Sequence, residues 1–168
     1  KNLGYKRDHV IHFRTENMSD AFLSTIKNTP GVINAGGGNL VARNSHGGTT
    51  GVDWEGKNPD DKIFFLRLWM SYHLIETLGM EMAAGQSFSE DFGSPLQIIF
   101  NERAIEDMGL KDPVGQIVKF EGEERQVVGV VKNFHYESLY ENVKPCAILL
   151  APMKYAPRIS VKIQSGME

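Results

Sequence analysis

The sequence has a single cysteine, Cys146, among its 168 residues. One thiol cannot form a disulfide within the chain, so cysteine usage indicates neither an oxidising nor a reducing compartment. Because Cys146 borders an apolar stretch, its position is typical of a buried structural thiol.

Long apolar runs and an excess of basic charge are also missing. No stretch approaches the roughly 20 consecutive apolar residues of a membrane-spanning helix. The net charge is −3 and the calculated isoelectric point is about 6.0. Without a long basic run, the chain offers no surface of the kind that nucleic acids require, so we expect no nucleic-acid partner.

The sequence also lacks the common catalytic and ligand-binding motifs. None of its 5 histidines has the spacing of a helical zinc site. The glycine run 36–38 is not followed by the Gly-Lys-Ser/Thr of a phosphate-binding loop, and there is no serine-hydrolase elbow. We therefore expect no catalytic residue, no metal, no cofactor and no enzymatic activity, and we interpret 36–38 as a flexible turn.

What the sequence does contain is a series of short apolar strands with few helices between them. Alternation and β-branched runs predict strands at 10–14, 32–35, 63–70, 98–100, 116–120, 127–131, 147–150 and 159–164. Helical spacing predicts short helices at 19–28, 72–78 and 101–108. Because strands outnumber helices and βαβ units do not repeat, the predicted class is α+β with mixed or antiparallel sheets.

Local signals fix several boundaries between these elements. Ser19 and Asn101 stand where a helix N-cap is expected, and Gly109 suits the left-handed position that ends a helix. Glu121-Gly122 predicts a tight hairpin. Gly129, inside an otherwise β-branched run, predicts a bulge or a close backbone approach.

Two groups of residues are candidates for partner contacts. The glycine-rich region 36–61 is predicted to be a long hairpin or loop, with Trp54 as its exposed aromatic anchor. Phe134, Tyr136 and Tyr140 follow the strand at 127–131. They would either line a groove for a peptide or lipid, or seal the end of the core, and the core interpretation is the one favoured.

Four segments in a fixed order, together with Phe88, carry a resemblance to a known family. They are VVGVVKNF at 127–134, ETLGMEMAAG at 76–85 with Phe88, NERA at 101–104 and LKDPVG at 110–115. Together they resemble the MacB-like periplasmic core domain of FtsX-like ABC transporter permeases, in its Bacteroidetes form. Most of the chain is covered. Two departures are Gln86, where the family often has Arg, and Asn133, where it often has Asp.

The resemblance implies a two-lobed fold with an inserted domain. Residues 1–51 and 152–168 would form a membrane-proximal, porter-like βαβ lobe, incomplete at its C-terminal end. Residues 52–151 would form a larger inserted lobe. The chain begins at Lys1 without a methionine or a signal-like segment, and we expect a domain excised from between two membrane helices.

The resemblance also implies a function outside the membrane. The chain would be the periplasmic domain of an inner-membrane permease, and would transmit ATP-driven conformational change while docking a partner or substrate for export. Its partners would be a cytoplasmic ATP-binding subunit or domain, acting through the parent permease, and a periplasmic adaptor or outer-membrane component.

Two other functions remain open at this point. The first is a periplasmic ligand-binding or sensor module that uses the cleft between the lobes, and it predicts a concave apolar pocket with a few converging polar groups. The second is an enzyme of unrecognised type, which predicts clustered titratable residues with perturbed pKa values. The sequence nominates no residues for the enzyme, so we rank it last.

Overall fold

The computed structural model describes residues 4, 8–16, 19–39, 47–91, 96–135, 142–151 and 158–167. Within these ranges the chain forms eleven strands and three short helices. The strands are β1 (Val10–Arg14), β2 (Val32–Gly38), β3 (Gly48–Thr49), β4 (Val52–Asp53), β5 (Phe65–Met70), β6 (Met82–Gly85), β7 (Leu96–Asn101), β8 (Ile117–Phe120), β9 (Glu123–Val131), β10 (Cys146–Leu150) and β11 (Arg158–Ile163). The helices are α1 (Asp20–Lys27), α2 (Leu74–Thr77) and α3 (Glu102–Met108).

One mixed sheet connects all of these strands. Its order is β1-β11-β2-β5-β10-β7-β9-β8-β4, with β3 paired to β5 and β6 paired to β9. The β5–β10 and β7–β9 pairs are parallel, and the other pairs are antiparallel. The predicted α+β class is therefore confirmed.

The helix caps form where the sequence predicted them. The Ser19 hydroxyl accepts a hydrogen bond from the Phe22 amide at 3.2 Å, which fixes the start of α1. Asn101 Oδ1 accepts from the Ala104 amide at 3.0 Å at the start of α3. Gly109 ends α3 in the left-handed region, at φ +68°.

The two glycine features of the β8–β9 region are also confirmed. Glu121 and Gly122 both have positive φ, as a tight hairpin of the mirror-image type requires. The β7–β9 register shifts between Ile98 and Ile99, opposite Gly129. A Cβ on Gly129 would also collide with the Gln86 carbonyl oxygen. Gly129 thus lies both at a bulge and at a close backbone approach, the two possibilities that the sequence predicted.

The core consists of three apolar clusters. The first lies between β5, α2, β9 and β10, and the second between β4, β5, β7, β9 and α3. The third joins α1 to β2 and β11, with Leu23, Ala35 and Ile159 among its buried members. Every residue of the third cluster comes from 1–51 or 152–168, the segments predicted to form one lobe. The division of the chain into two lobes itself stays a prediction.

The glycine run 36–38 is not a loop, as its composition had suggested, but the second half of β2. A Cβ on Gly36 would lie 2.6 Å from Leu74 Cα, and a Cβ on Gly38 would lie 2.5 Å from Leu74 Cδ2. Real Cβ atoms do not approach that closely, so α2 can rest on this strand only because the strand has no side chains there. The interpretation of 36–38 as a flexible turn is therefore wrong.

Hydrogen bonds reinforce this junction between β2 and the residues that follow β5. The Ser71 amide donates to the Gly37 carbonyl at 2.8 Å, and the Gly37 amide donates to Ser71 Oγ at 2.9 Å. The Asn39 amide donates to the Trp69 carbonyl at 3.1 Å, while Asn39 Oδ1 accepts from the Trp69 amide at 2.8 Å. Because these are buried or partly buried bonds, separating the two segments would leave several polar groups unsatisfied.

Replacing Gly36 by alanine should destabilise the protein, because the new methyl group would meet the backbone of Leu74. We expect the free energy of unfolding to fall by about 1–3 kcal/mol, the usual cost of overpacking. Urea denaturation followed by circular dichroism measures it. Gly47→Ala is the matched control, since its Cβ would meet only the Arg67 guanidinium end at 3.4 Å. Equal stability of the two variants would contradict the proposed need for glycine at 36.

Candidate functional site

Trp54, predicted to be exposed, is buried. Its side chain is only 8 % exposed and belongs to the second core cluster. The indole packs edge-on against Phe65, with ring centroids 6.4 Å apart, and the Lys57 ammonium lies 5.1 Å from its centroid. Lys57 Nζ also donates to the Val52 carbonyl at 2.7 Å, which folds the turn over the ring. The expectation of an exposed aromatic is wrong because this turn is tied to the core.

Phe134 is also a core residue. It is 3 % exposed and packs in the first cluster, as the core interpretation of this region predicted. Tyr136 and Tyr140 lie outside the described residues, and their predicted partner contacts stay predictions. The structure thus brings neither Trp54 nor Phe134 to an accessible surface.

A cleft of about 680 Å³ lies between α1 and the turn that follows β5. Its size falls in the range of small-molecule sites, roughly 300–1,000 Å³. It is bounded by α1 on one side and by residues from the ends of β5, β7 and β10 on the other. The lining residues are Asp20, Leu23, Ser24, Lys27, Ser71, Tyr72, His73, Glu90, Leu96, Leu150 and Ala151.

One face of α1 supplies the first wall. Asp20, Ser24 and Lys27 recur at helical spacing and so point to the same side of the helix. Leu23, the buried residue of α1, lies between them at the base and anchors the helix to the third cluster. The wall therefore combines an apolar base with one carboxylate, one hydroxyl and one ammonium group.

The turn after β5 supplies the opposite wall. Ser71 Oγ donates to the Tyr72 carbonyl at 2.9 Å, which adds to the bonds between Ser71 and Gly37. His73 follows with φ +69°, a left-handed conformation that is costly for a residue other than glycine. The bonds between Ser71 and Gly37 thus tie the backbone of this wall to β2.

Burial and one carboxylate set the protonation of the cleft's basic and phenolic groups. Burial lowers the pKa of Lys27, while the charges of Glu90 and Glu76 oppose that change. Burial raises the pKa of Tyr72, and the Glu90 charge raises it further. Tyr72 thus stays a protonated phenol, a hydrogen-bond donor, at neutral pH. Glu90 acts on both groups, although no ion pair joins it to Lys27 among the described residues.

Sequence reasoning expected a cleft between lobes but nominated none of its residues. The lining comes from four separate stretches of the chain, so no local motif marks it. A weak signal exists in α1, where a charged face and an apolar face coincide on an eight-residue helix. The other lining residues, at 71–73, 90, 96 and 150–151, can be found only once the sheet order is known.

The described ranges contain neither a metal-ion site nor a membrane-spanning helix. No three His, Cys, Asp or Glu side chains in them converge as a metal-ion site would require. None of the three described helices has the length and hydrophobicity needed to cross a membrane. Cys146 is buried, as predicted, and burial raises the pKa of its thiol.

The fold defined by this sheet is that of extracytoplasmic domains of ABC transporters. It is similar to the periplasmic region of MacB from Actinobacillus actinomycetemcomitans, with a TM-score of 0.65 and 14% identity, over 98% of this chain and 78% of that one. It is also similar to the extracellular domain of the noncanonic ABC-type transporter YknZ from Gram-positive bacteria, with a TM-score of 0.61 and 12% identity, over 94% of this chain and 83% of that one.

A third similar structure is a domain assigned to a permease protein of Porphyromonas gingivalis, with a TM-score of 0.60 and 15% identity, over 95% of this chain and 75% of that one. No protein-family model and no curated protein matches the sequence. At these identities the likeness establishes a shared fold, which confirms the fold that the sequence resemblance predicted.

The burial of Trp54 predicts a stability defect on its removal. Trp54→Ala should lower the free energy of unfolding by about 3–5 kcal/mol, the usual cost of deleting a large buried aromatic side chain. Thermal and urea denaturation measure it. Phe64→Ala is the control, because it deletes an aromatic side chain that is 53 % exposed and should cost much less. A Trp54→Ala protein of wild-type stability would instead favour the surface role that the sequence suggested.

Proposed function

We propose that this chain is the periplasmic domain of an inner-membrane ABC transporter permease and that it performs no catalytic step itself. The observation that carries the proposal is the shared fold with the MacB periplasmic region, which extends over 98% of the chain. Fold alone does not determine function, so the proposal also depends on what the architecture can do mechanically.

Transmission of movement requires a domain that does not bend internally. A single sheet connects β1 at one edge to β4 at the other, so displacement of one part is carried to the rest. The contact of Leu74 with the glycine backbone of β2 adds a close junction in the middle of that path. These features support a domain that moves as one rigid piece.

The proposal includes partners that would act at its two ends. A cytoplasmic ATP-binding subunit or domain would act through the membrane helices of the parent permease. A periplasmic adaptor or an outer-membrane component, and the exported substrate, would dock on the domain itself. Segments 1–51 and 152–168 would be the membrane-proximal lobe and 52–151 the distal one. The third core cluster, built only from the first two segments, supports that division.

Localisation tests the proposal directly. In the native host, protease should leave this segment intact in whole cells and cleave it once the outer membrane is permeabilised, while the parent protein sediments with the inner membrane. Immunoblotting with antibodies against the segment follows the cleavage, and a cytoplasmic protein must survive permeabilisation as the control. Cleavage only after complete lysis, or a segment found free of the membrane, would overturn the proposal.

Rigidity is tested on the chain by amide hydrogen exchange. The amides of Gly37, Asn39 and Ser71 should exchange only through global unfolding, with opening free energies equal to those of the buried strands β5 and β10. Mass spectrometry or NMR measures them. The amide of Gly51, bonded at 2.9 Å to the Thr49 hydroxyl in an exposed turn, should exchange much faster. If the three junction amides opened well before the core, the glycine segment would act as a hinge.

A further inference from the structure

The cleft between α1 and the turn after β5 contains unpaired charges of both signs above an apolar base. Lys27 provides the ammonium, and Glu90 and Asp20 provide carboxylates. The ion pairs of the described residues engage none of these three groups. Charges left unpaired beside apolar surface are available to a ligand that carries the complementary ones.

The cleft also has an apolar part. Leu23 and Leu150 are buried or half-buried within it, Ala151 is buried, and Leu96 is 53 % exposed at its margin. Contact with a ligand would remove the exposed apolar surface of Leu96 from water, which is energetically favourable. An occupant must therefore have apolar surface of its own, as well as charges at its ends.

We propose that the cleft binds a small zwitterion with an apolar body, the class to which short apolar peptides with free termini belong. The Lys27 ammonium would bind the carboxylate of such a ligand, and Glu90 would bind its ammonium group. The hydroxyls of Tyr72 and Ser24 provide additional donors for the carboxylate. The apolar side chains would lie against Leu23, Leu96 and Leu150.

The field around Glu90 agrees with these assignments. Burial lowers the pKa of Lys27 and the Glu90 charge opposes that change, whereas burial raises the pKa of Tyr72 and the Glu90 charge raises it further. The negative potential of Glu90 therefore reaches both groups. The α1 wall carries both Lys27 and Asp20, and Glu90 adds a second carboxylate from outside the helix. Lys27 is thus the one ammonium group among the lining residues, and a ligand with opposite charges at its two ends would place its carboxylate there. The turn at 71–73 is held by β2, so this wall is preorganised and little binding energy is lost in ordering it.

Trileucine, titrated into the protein by isothermal calorimetry, is the probe that tests the proposal. Three ligands are compared: trileucine itself, its C-terminal amide and its N-acetylated form. Lys27→Met should weaken trileucine binding about fivefold to tenfold, the effect of losing one charge contact, and should leave binding of the amide unchanged. Glu90→Gln should weaken trileucine similarly and leave the N-acetylated form unchanged.

Lys111→Met and Glu55→Gln are the matched controls, because they remove the same charges from exposed positions outside the cleft. Thermal unfolding of each variant verifies that the fold is intact. Failure of trileucine to bind, equal losses for blocked and free peptides, or equal losses in the control variants would each overturn the proposal. The proposal rests on the cleft residues alone, so it can fail while the periplasmic location holds, and the reverse.

Discussion

The contact of α2 with the bare backbone of β2 is the constraint on which the rest of this structure depends. Gly36 and Gly38 present no side chains, so Leu74 can lie directly against the strand. Ala35, on the other face of β2, packs with Leu23 of α1 in the third cluster. The strand is thereby held between two helices. Because a three-residue turn connects β5 to α2, this contact also fixes the position of β5 and the strands beyond it relative to β2, β11 and β1.

The cleft is a consequence of the same contact. The turn that carries Ser71, Tyr72 and His73 connects β5 to α2, and its path is set by the hydrogen bonds between Ser71 and Gly37. His73 has the left-handed conformation within this turn, and its carbonyl accepts hydrogen bonds from the Thr77 amide at 2.9 Å and the Thr77 hydroxyl at 2.7 Å. The wall facing α1 is thus a by-product of how β2 and α2 pack, and its geometry is rigid for that reason.

The sequence predicted elements whose cause is local and missed those whose cause is distant. Ser19, Asn101, Gly109 and the Glu121-Gly122 hairpin act within a few residues, and all four were predicted correctly.

The glycine run 36–38 was predicted wrongly, because glycine clusters usually mark turns. Here glycine is needed because any side chain at 36 or 38 would collide with Leu74, which is distant in sequence. Strand β6 was missed altogether, and Trp54 was misplaced, since its turn closes through Lys57. The cleft residues share no motif, so only the assembled sheet brings them together.

The cleft and the rigid junction have an energetic connection. The cleft takes α1 from segment 1–51 and the opposite wall from segment 52–151, so its occupant would contact both predicted lobes at once. A ligand that binds only this arrangement stabilises it by an amount that grows with the logarithm of ligand concentration over its dissociation constant. The binding free energy of such a ligand would therefore add to the stabilisation from the packing of Leu74 against β2. A domain that carried movement without bending, as proposed for this chain, would gain from both contacts, because each raises the free-energy cost of separating the two segments.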